Sequence, residues 1–550
     1  MRRSGVLVLA VLTLLAVATP VAAQPKVTIT GLVDNVTSWT NNLSHTDLNM
    51  ARNKDSELYA RTRVRPDIVA EVGTTKFVLG LEIDAVWGQT ANQDTSVCLN
   101  AACQAAVGSA QRFGSTHGWD LNTDAQGVIE LKWAYTEFNL PLVPFATRLR
   151  VGAQPFSAQY KPGNFAHGDF AGVNVTSEWT PMIRSHFAFV QMEESSTGPK
   201  DNFIRGDDIA IITSVEITPF KGLDIRPIFA YASIIGVTST SNRANRGGLG
   251  GGAATFPTCP GTTGPGTGGC LGGGISSAEE DRFTIGVDAR WRSGPFYFDP
   301  SVYYQFGSRD QISPTISLTS GPGIMTGLKR DAWLIDLRGG WQVGPLLLEA
   351  LGVYTSGNKA QDRIDLNRSR LKFFEPIDTD GSWLTGWTEL FSSGIDYLNN
   401  FRANATNFRP GVSMGYDKYG LIVGGFRASY AVTPAFTLRT VVNARWTAEE
   451  VDTASAVSAG AGLTPRCGAV ALDTGTCADR GTSRYFGTEL NLGFQWRFVT
   501  NVALDVVGTY FFAGSALSSP AVTNTATGVV QDSRNPKDAQ ALSARMRFSF

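Results

Sequence analysis

Residues 282–292 read RFTIGVDARWR, and this stretch decides the fold class. Apolar side chains occupy every second position from Phe283 to Trp291, and polar side chains such as Arg282 and Asp288 occupy the alternate positions. Successive side chains of a β-strand point to opposite faces of the sheet, so this stretch would have one apolar face and one charged face. A strand that separates lipid from water needs this division, and the pattern therefore predicts a strand of a membrane β-barrel.

The same alternation recurs along the chain, for example at 437–447, at 485–498 and in the last residues before Phe550. A soluble β-sandwich also alternates, because one face of each of its sheets is buried. Two features favour the membrane barrel. Arginines recur on the polar face of many strands, and aromatic residues lie near the ends of the apolar faces, as in the girdles of outer-membrane barrels.

Connections between the predicted strands alternate between short and long. The short ones lie at 74–75, 219–222, 293–295, 344–345, 433–434 and 500–501. The long ones lie at about 89–126, 236–280, 308–328, 357–419, 449–483 and 514–537. Outer-membrane barrels have tight periplasmic turns and long extracellular loops. We therefore predict an all-β fold, a transmembrane antiparallel β-barrel with long extracellular loops.

The direction of the strands restricts their number. If the short turns are periplasmic, both ends of the barrel chain are periplasmic and the number of strands is even. This condition requires two strands between those predicted at 147–155 and 206–219, and we place them near 171–179 and 184–194. The prediction is about 18 strands, with 16 as the alternative, and a barrel of this size leaves an aqueous lumen.

The N-terminus predicts export. Arg2 and Arg3 precede an apolar run, and small residues follow at 21–23. This order is typical of a cleavable signal peptide, which we place at 1–23, with an N-terminal membrane anchor as the alternative. Residues 24–550 would then form a single barrel domain in the lipid of the bacterial outer membrane. The formal net charge of −1 gives no reason to expect nucleic-acid binding.

Six cysteines fall into three local pairs within the predicted loops. These pairs are Cys98 with Cys103, Cys259 with Cys270, and Cys467 with Cys477. An exported protein meets oxidising conditions, so disulfides within the loops are the favoured prediction. Metal binding is the alternative, but it needs clustered ligands and no histidine lies beside a cysteine pair in the sequence. We therefore expect no metal site.

Two stretches resemble known outer-membrane barrels. The C-terminal residues RMRFSF at 545–550 resemble the final strand of barrels that are inserted by the barrel-assembly machinery, which implies this machinery as a partner through Phe550. Residues 134–135 (AY) and 148–155 (RLRVGAQP) resemble the porin segment that leads into a constriction loop. The resemblance implies that about 156–171 folds into the lumen, with an exposed outer loop as the alternative. The polar residues of that segment are Tyr160, Lys161, His167 and Asp169.

A third resemblance concerns the closing strands. Residues 487–492 (GTELNL), Asn501 and 510–514 (YFFAG) resemble the closing strands of the alginate-export-like channels. The resemblance implies a similar number of strands and an arginine-rich lumen. It leaves the oligomeric state open between a monomer, as in those channels, and a homotrimer, as in many general porins.

The first predicted hairpins contain the most concentrated charges. Arg61, Arg63 and Arg65 share one face of a strand, and Glu82 and Asp84 share a face of the next strand. A charge that faces lipid at mid-depth costs about 2–4 kcal/mol, so these five side chains are expected to face the lumen. A basic ladder beside an acidic pair would create a transverse field that selects ions. Mutual pairing without selectivity is the alternative.

These residues belong to a larger predicted pore-lining set. The set consists of Arg61, Arg63, Arg65, Glu82, Asp84, Arg148, Arg150, Lys161, Asp169, Arg290, Arg292, Arg439 and Arg497. Counted by alternation along the strands, inward arginines outnumber inward acids. Arginines along a path lower the barrier for carboxylates and phosphates, so we predict a preference for anions.

No sequence motif supports catalysis. GVSMG at 411–415 matches the pattern G-x-S-x-G, but it precedes an alternating strand instead of forming the strand–turn–helix that this motif requires. We expect no catalytic residue and no cofactor. The predicted function is a porin-like channel for passive diffusion of small, anionic solutes. The alternatives are an exporter of an acidic saccharide polymer, a structural barrel filled by a partner, and an outer-membrane hydrolase.

Overall fold

The computed structural model describes the strands and parts of the segments that connect them. The described residues are 24–42, 56–87, 118–119, 129–161, 165–193, 208–236, 278–312, 325–359, 370–379, 387–390, 394–395, 419–451, 483–517, 522–523, 530–531 and 537–550. The predicted signal peptide at 1–23 and all three cysteine pairs lie outside these residues, so the signal and the disulfides stay predictions. Within the described part of the chain, no helix has the length and apolarity needed to cross a membrane.

Eighteen long strands form one antiparallel sheet in the described residues. In chain order they are β1 (Lys26–Asn41), β2 (Ser56–Val72), β3 (Thr75–Trp87), β4 (Glu130–Asn139), β5 (Ala146–Ser157), β6 (Ala166–Thr180), β7 (Ile183–Glu193), β8 (Asp208–Phe220), β9 (Leu223–Gly236), β10 (Ala278–Ser293), β11 (Phe296–Ile312), β12 (Met325–Val343), β13 (Leu346–Thr355), β14 (Leu421–Thr433), β15 (Phe436–Val451), β16 (Ser483–Val499), β17 (Val502–Ala513) and β18 (Ala539–Ser549). The prediction of 18 strands is confirmed, and the alternative of 16 is wrong. The two strands required near 171–179 and 184–194 are β6 and β7.

The first and last strands close the sheet. β1 pairs with β2 along one side and with β18 along the other, so the barrel wall has no free edge. The Gly31 amide donates to the Phe550 carbonyl at 2.8 Å, and the Phe550 amide donates to the Gly31 carbonyl at 3.0 Å. The resemblance to porin-like barrels is confirmed at the level of the fold. The likeness to the alginate-export-like channels, the assembly machinery as a partner and the oligomeric state stay predictions.

The outer face of the barrel is apolar, as the alternation predicts. On β10, Ile285, Val287 and Trp291 are 46%, 44% and 40% exposed. Arg282 and Asp288, which occupy alternate positions of the same strand, are buried on the inner side. Large apolar side chains face water at high free-energy cost, so this outer face requires a lipid environment.

Aromatic residues lie near both ends of the apolar outer face. Phe296 stacks on Trp341 near the short turns, with ring centroids 5.8 Å apart, and Tyr304 packs against Trp333 near the long loops at 4.5 Å. Aromatic girdles of this kind lie at the two interfaces between lipid and water. The protein is therefore a β-barrel of the bacterial outer membrane.

Tight turns join the strands at one end of the barrel. Two-residue turns lie at 73–74, 181–182, 221–222, 294–295, 344–345, 434–435 and 500–501. Gly294 and Gly344 begin their turns with a φ of +56°, and each precedes a proline whose ring fixes a negative φ. Glycine adopts the positive φ without strain, which explains the Gly-Pro pairs at these turns. By the rule for outer-membrane barrels, this end is periplasmic.

The inner wall has two halves along the barrel axis. In the half nearer the long loops, here the loop-side half, inward positions such as Ile212 on β8 and Leu334 on β12 are apolar and buried. In the half nearer the short turns, here the turn-side half, the same strands place Glu216 and Asp336 inward. The candidate site lies in the turn-side half, because the inward charges of the loop-side half, such as Arg282 and Arg330, are buried.

Candidate functional site

The predicted ladder on β2 contacts the predicted acids on β3 directly. Arg63 Nη2 lies 2.6 Å from Asp84 Oδ2 and 2.8 Å from Glu82 Oε1, and Arg65 Nε lies 3.0 Å from Glu82 Oε2. Arg61 is buried, with its Nη1 atom 3.8 Å from Asp84 Oδ1. These five residues are brought together as ion pairs within one wall. Because paired charges cancel much of each other's field at a distance, the predicted transverse field is reduced here.

Arg148 and Arg150 on β5 share one acid of β4. Arg150 Nη2 lies 2.7 Å from Glu137 Oε2, and Arg148 Nε lies 3.7 Å from Glu137 Oε1. The Arg150 guanidinium group also lies 4.6 Å from the centroid of the Tyr135 ring, which restricts its plane. The Arg148 side chain is 61% exposed, whereas that of Glu137 is 11% exposed. The accessible surface of this group is therefore mostly guanidinium.

The two predicted arginines of β10 are paired in the same way. Arg290 Nε lies 2.6 Å from Asp224 Oδ2, and their side chains are 43% and 20% exposed. Arg292 donates to both oxygens of Asp299, with 49% exposure for the arginine and 15% for the acid. Each pair is neutral in total charge, but its accessible surface is mostly guanidinium.

The same exposure pattern recurs elsewhere on the turn-side half. In three further pairs the arginine side chain is more exposed than the acid side chain. The arginines are 24%, 16% and 34% exposed, and their acids are 4%, 5% and 5% exposed. These pairs are Arg427 with Glu349, Arg545 with Asp505, and Arg547 with Asp34. In two other pairs the acid is more exposed than the basic side chain. These pairs are Lys132 with Asp169 and Arg184 with Glu178.

Arg439 on β15 and Arg497 on β16 complete the predicted set. Neither guanidinium group has a carboxylate oxygen within 4.0 Å among the described residues. Both strands begin or end at short turns near these positions, so the two arginines lie on the turn-side half. They add positive charge to a wall that is otherwise formed mostly of ion pairs.

The segment between β5 and β6 folds into the lumen. β5 ends at Ser157 and β6 begins at Ala166, so the segment is shorter than the predicted 156–171. The Tyr160 amide donates to Asp288 on β10, and the Tyr160 hydroxyl donates to Glu216 on β8 at 2.8 Å. Residues 158–161 therefore reach from the end of β5 to β8 and β10, which lie three and five strands farther along the wall.

The Tyr160 ring lies between two arginines. The guanidinium carbons of Arg226 and Arg290 lie 4.1 Å and 4.3 Å from its centroid. Burial raises the pKa of the Tyr160 hydroxyl, although Arg226 opposes this effect, and the hydroxyl stays protonated as the donor to Glu216. Tyr160 thereby holds the inward segment against the turn-side half and fixes the plane of the exposed Arg290.

Lys161 and Asp169 differ from their predicted roles. Lys161 is 6% exposed, and its Nζ atom donates to the carbonyl of Asp336 at 2.9 Å and to that of Asp299. Burial lowers the pKa of Lys161, and Asp336 opposes the shift. The ammonium group fixes the segment to the wall instead of presenting an exposed charge. Asp169 lies in β6 and accepts a hydrogen bond from Lys132 Nζ at 2.7 Å.

A second inward segment, at 370–379, is fixed by buried ion pairs in the loop-side half. Glu375 Oε2 lies 3.0 Å from Arg282 Nη2 and 2.9 Å from Arg330 Nη2, and Glu280 joins the cluster 2.6 Å from Arg330. Burial alone would raise the pKa of Glu375, but the two guanidinium groups hold it below its usual value. The long loop predicted at 357–419 thus enters the barrel here.

The two inward segments also contact each other. The Ile377 amide donates to the Phe165 carbonyl at 2.9 Å, and Phe165 packs against Tyr303 and Phe374 with centroids 5.4 Å and 6.3 Å away. All three aromatic rings are fully buried. A packed apolar core therefore occupies part of the loop-side half, where it joins the two inward segments to β11.

A third contact of the long loop involves residues 387–390. The Glu389 and Leu390 amides donate to Glu489 Oε1 on β16 at 2.7 Å and 3.1 Å. Arg445 Nη2 donates to Thr388 Oγ1 at 3.1 Å. Burial raises the pKa of Glu389 to about 7, and Arg439 opposes the shift.

No protein-family model matches the chain, and a comparison with curated proteins gives no match. Among solved structures the chain is similar to Pseudomonas aeruginosa OccK8 (OprE), with 9% identity, a TM-score of 0.46, and coverage of 96% of this chain and 99% of that one. It is also similar to Acinetobacter baumannii OccAB4, with 9% identity, a TM-score of 0.45 and coverage of 96% and 99%. Because these identities and TM-scores are low, the similarity carries no functional argument, and a function has to be inferred from the residues of this chain.

Alternation alone did not single out several residues of the site. Glu137, Glu216, Asp299 and Lys132 were not predicted, although each lies on a strand and contacts a basic or acidic partner. A bulge between Gly80 and Leu81 shifts the register of β4 against β3. Simple alternation along the sequence therefore does not show which strand neighbours Lys132 contacts. Among the described residues, no group of three or more histidine, cysteine or acidic side chains is placed to hold a metal ion.

Proposed function

We propose that this protein is a porin-like channel through which small anionic solutes diffuse passively. One observation supports the anion preference above all: in most ion pairs of the turn-side half, the arginine side chain is more exposed than the side chain of its acid. Each acid orients and neutralises its arginine in part, while the free edge of the guanidinium group remains accessible. A solute carboxylate or phosphate can accept hydrogen bonds from that edge.

The inward segments support passage of small solutes over a polymer. Tyr160 and Lys161 hold one segment against the wall formed by β8 to β12, and Glu375 holds the second against β10 and β12 of the same wall. A long polysaccharide would have to displace these contacts, whereas a small solute would pass beside them. The proposal needs no catalytic group and no cofactor.

The proposed selectivity residues are a subset of the predicted set. In Arg148, Arg290 and Arg292, 61%, 43% and 49% of the side chain is exposed. Arg61 and Lys161 are buried, so we assign them to holding the wall and the inward segment. Glu82 and Asp84 orient Arg63 and Arg65.

Single-channel recording in planar bilayers under a salt gradient tests this proposal. We expect a reversal potential that indicates anion selectivity. In the variant Arg148→Gln/Arg290→Gln/Arg292→Gln, the anion-to-cation permeability ratio should decrease by about tenfold, because aligned charges concentrate counter-ions in a cleft.

The matched control, Arg148→Lys/Arg290→Lys/Arg292→Lys, retains the charges and should retain the selectivity. Cation selectivity of the wild type would contradict the anion preference while leaving the channel. A folded, inserted barrel that gives no conductance steps would contradict the channel itself.

A further inference from the structure

A short stretch of the long loop extends the barrel wall beside β12. Because β13 ends at Thr355, the loop-side part of β12 pairs with Leu371 instead. The Leu371 amide donates to the Lys329 carbonyl, and the Asp331 amide donates to the Leu371 carbonyl, both at 2.8 Å. Residues 370–372 therefore continue the sheet above the end of β13.

A buried asparagine fixes this stretch from its other side. Asn358 is fully buried, and its Nδ2 atom donates to the Arg370 carbonyl at 2.7 Å. The Lys372 amide donates to Asn358 Oδ1 at 2.8 Å, and Ser356 Oγ donates to the Lys372 carbonyl. The backbone of 370–372 is thus held on both edges, which fixes where its side chains point.

Three basic side chains of this region face outward. Leu371 is buried and pairs with the inward Arg330, so the flanking Arg370 and Lys372 point to the outer surface. Lys329 lies next to Arg330 on β12 and also points outward. Arg370 is 64% exposed, and both lysines are exposed. We refer to Lys329, Arg370 and Lys372 as the rim patch.

The aromatic girdle shows the height of the rim patch in the membrane. Trp333, which is 44% exposed, lies on the same outer face of β12 as Lys329 and packs against Tyr304. Four residues separate Trp333 from Lys329, or about 13 Å along the strand. Since such girdles mark the interface between lipid and water, the rim patch lies at the level of the extracellular headgroups.

The charges at this rim are mostly positive. Asp331 Oδ2 lies 3.4 Å from Arg370 Nη1 and offsets part of its charge. The nearby Asp281, on β10, accepts a hydrogen bond from the Tyr231 hydroxyl at 2.6 Å. Three cations therefore remain beside one directly contacting acid, on a surface that faces headgroups.

We propose that the rim patch binds the phosphate groups of an anionic lipid in the extracellular leaflet. Lysine and arginine are the side chains that pair with phosphate oxygens, and each cation near a membrane surface strengthens binding of anionic lipid roughly fivefold. This site is separate from the lumen, and it fixes the barrel to its lipid at the level where the long loops begin.

Native mass spectrometry of the purified full barrel in detergent micelles tests the proposal. The probes are bisphosphorylated lipid A and dephosphorylated lipid A with the same acyl chains, in the presence of EDTA so that divalent cations cannot bridge. The wild type should retain the bisphosphorylated lipid at least about tenfold better. The variant Lys329→Gln/Arg370→Gln/Lys372→Gln should retain both lipids equally.

A matched control changes a cation at the other end of the barrel. Lys76, whose Nζ atom lies 2.9 Å from Glu71, is next to a short turn, and Lys76→Gln should keep the wild-type preference. No preference in the wild type, or a preference that survives in the triple variant, would overturn the proposal. Saturable binding of inorganic phosphate alone, lost in the triple variant, would identify a free-anion site and would also overturn it.

Single variants test the same proposal if the triple variant does not fold. If the triple variant lacks the heat-dependent gel mobility of a folded barrel, Lys329→Gln and Lys372→Gln are measured alone. Each should lower the preference roughly fivefold. An unchanged preference in both would rule out the rim patch.

Discussion

The two halves of the inner wall place charges in opposite environments. In the loop-side half, Arg282 and Arg330 pair with Glu375 beneath folded segments and are almost fully buried. In the turn-side half, Arg290 and Arg292 are also paired but remain 43% and 49% exposed. The comparison shows that the role of an inward charge depends on what covers it. A charge beneath a folded segment stabilises the structure, whereas an uncovered charge is accessible from the lumen.

The largest expected effect breaks the buried cluster. Arg330→Met should lower the free energy of unfolding by about 3–5 kcal/mol, because Glu280 and Glu375 would lose a partner in a buried site. Arg290→Met, which breaks an exposed pair, should cost about 1 kcal/mol or less. Denaturant unfolding in detergent micelles, followed by tryptophan fluorescence, compares the two. Equal losses would contradict the division into a covered and an accessible half.

A smaller effect concerns the contact between the inward segment and the turn-side half. Tyr160→Ala removes the hydrogen bond to Glu216 and the stacking on Arg226 and Arg290, and should weaken the docked segment by about 2 kcal/mol. Single-channel conductance should increase, because residues 158–161 would no longer be held inside the lumen.

Tyr160→Phe is the control for this prediction. It keeps the ring between the two arginines and loses only the hydroxyl, at about 1 kcal/mol, so conductance should stay near the wild-type value. A conductance unchanged by Tyr160→Ala would show that the segment does not narrow the path.

The smallest effect is local and depends on pH. The pKa of Glu389 is raised to about 7 from a model-compound value of 4.5, so docking of 387–390 is favoured at low pH and weakens as pH rises through 7. Amide exchange of Glu389 and Leu390, corrected for the intrinsic rate, should show several-fold less protection at pH 8 than at pH 5. Glu389→Gln should remove this dependence, although Glu489 and Arg445 contact the same segment. Persistence of the full dependence in that variant would assign it to Glu489.

Much of the fold could be predicted because strand alternation is a local property. The lipid cost of a charge fixes the register of a strand such as β10, and the short turns fix its ends. Parity then requires an even number of strands, and this condition alone places β6 and β7 between β5 and β8. Arg63 and Asp84 could be placed on neighbouring inward faces for the same reason.

The sequence by itself therefore determined the barrel and an even number of strands, and it predicted the inward direction of Arg148, Arg290 and Arg292. Only the tertiary structure decided which inward charges are exposed. The Tyr160 contact with Asp288 spans 128 positions of the sequence, and the Lys161 contact with Asp336 spans 175. Alternation specifies the face on which a side chain lies, but the exposure of that side chain depends on which distant segment folds over it.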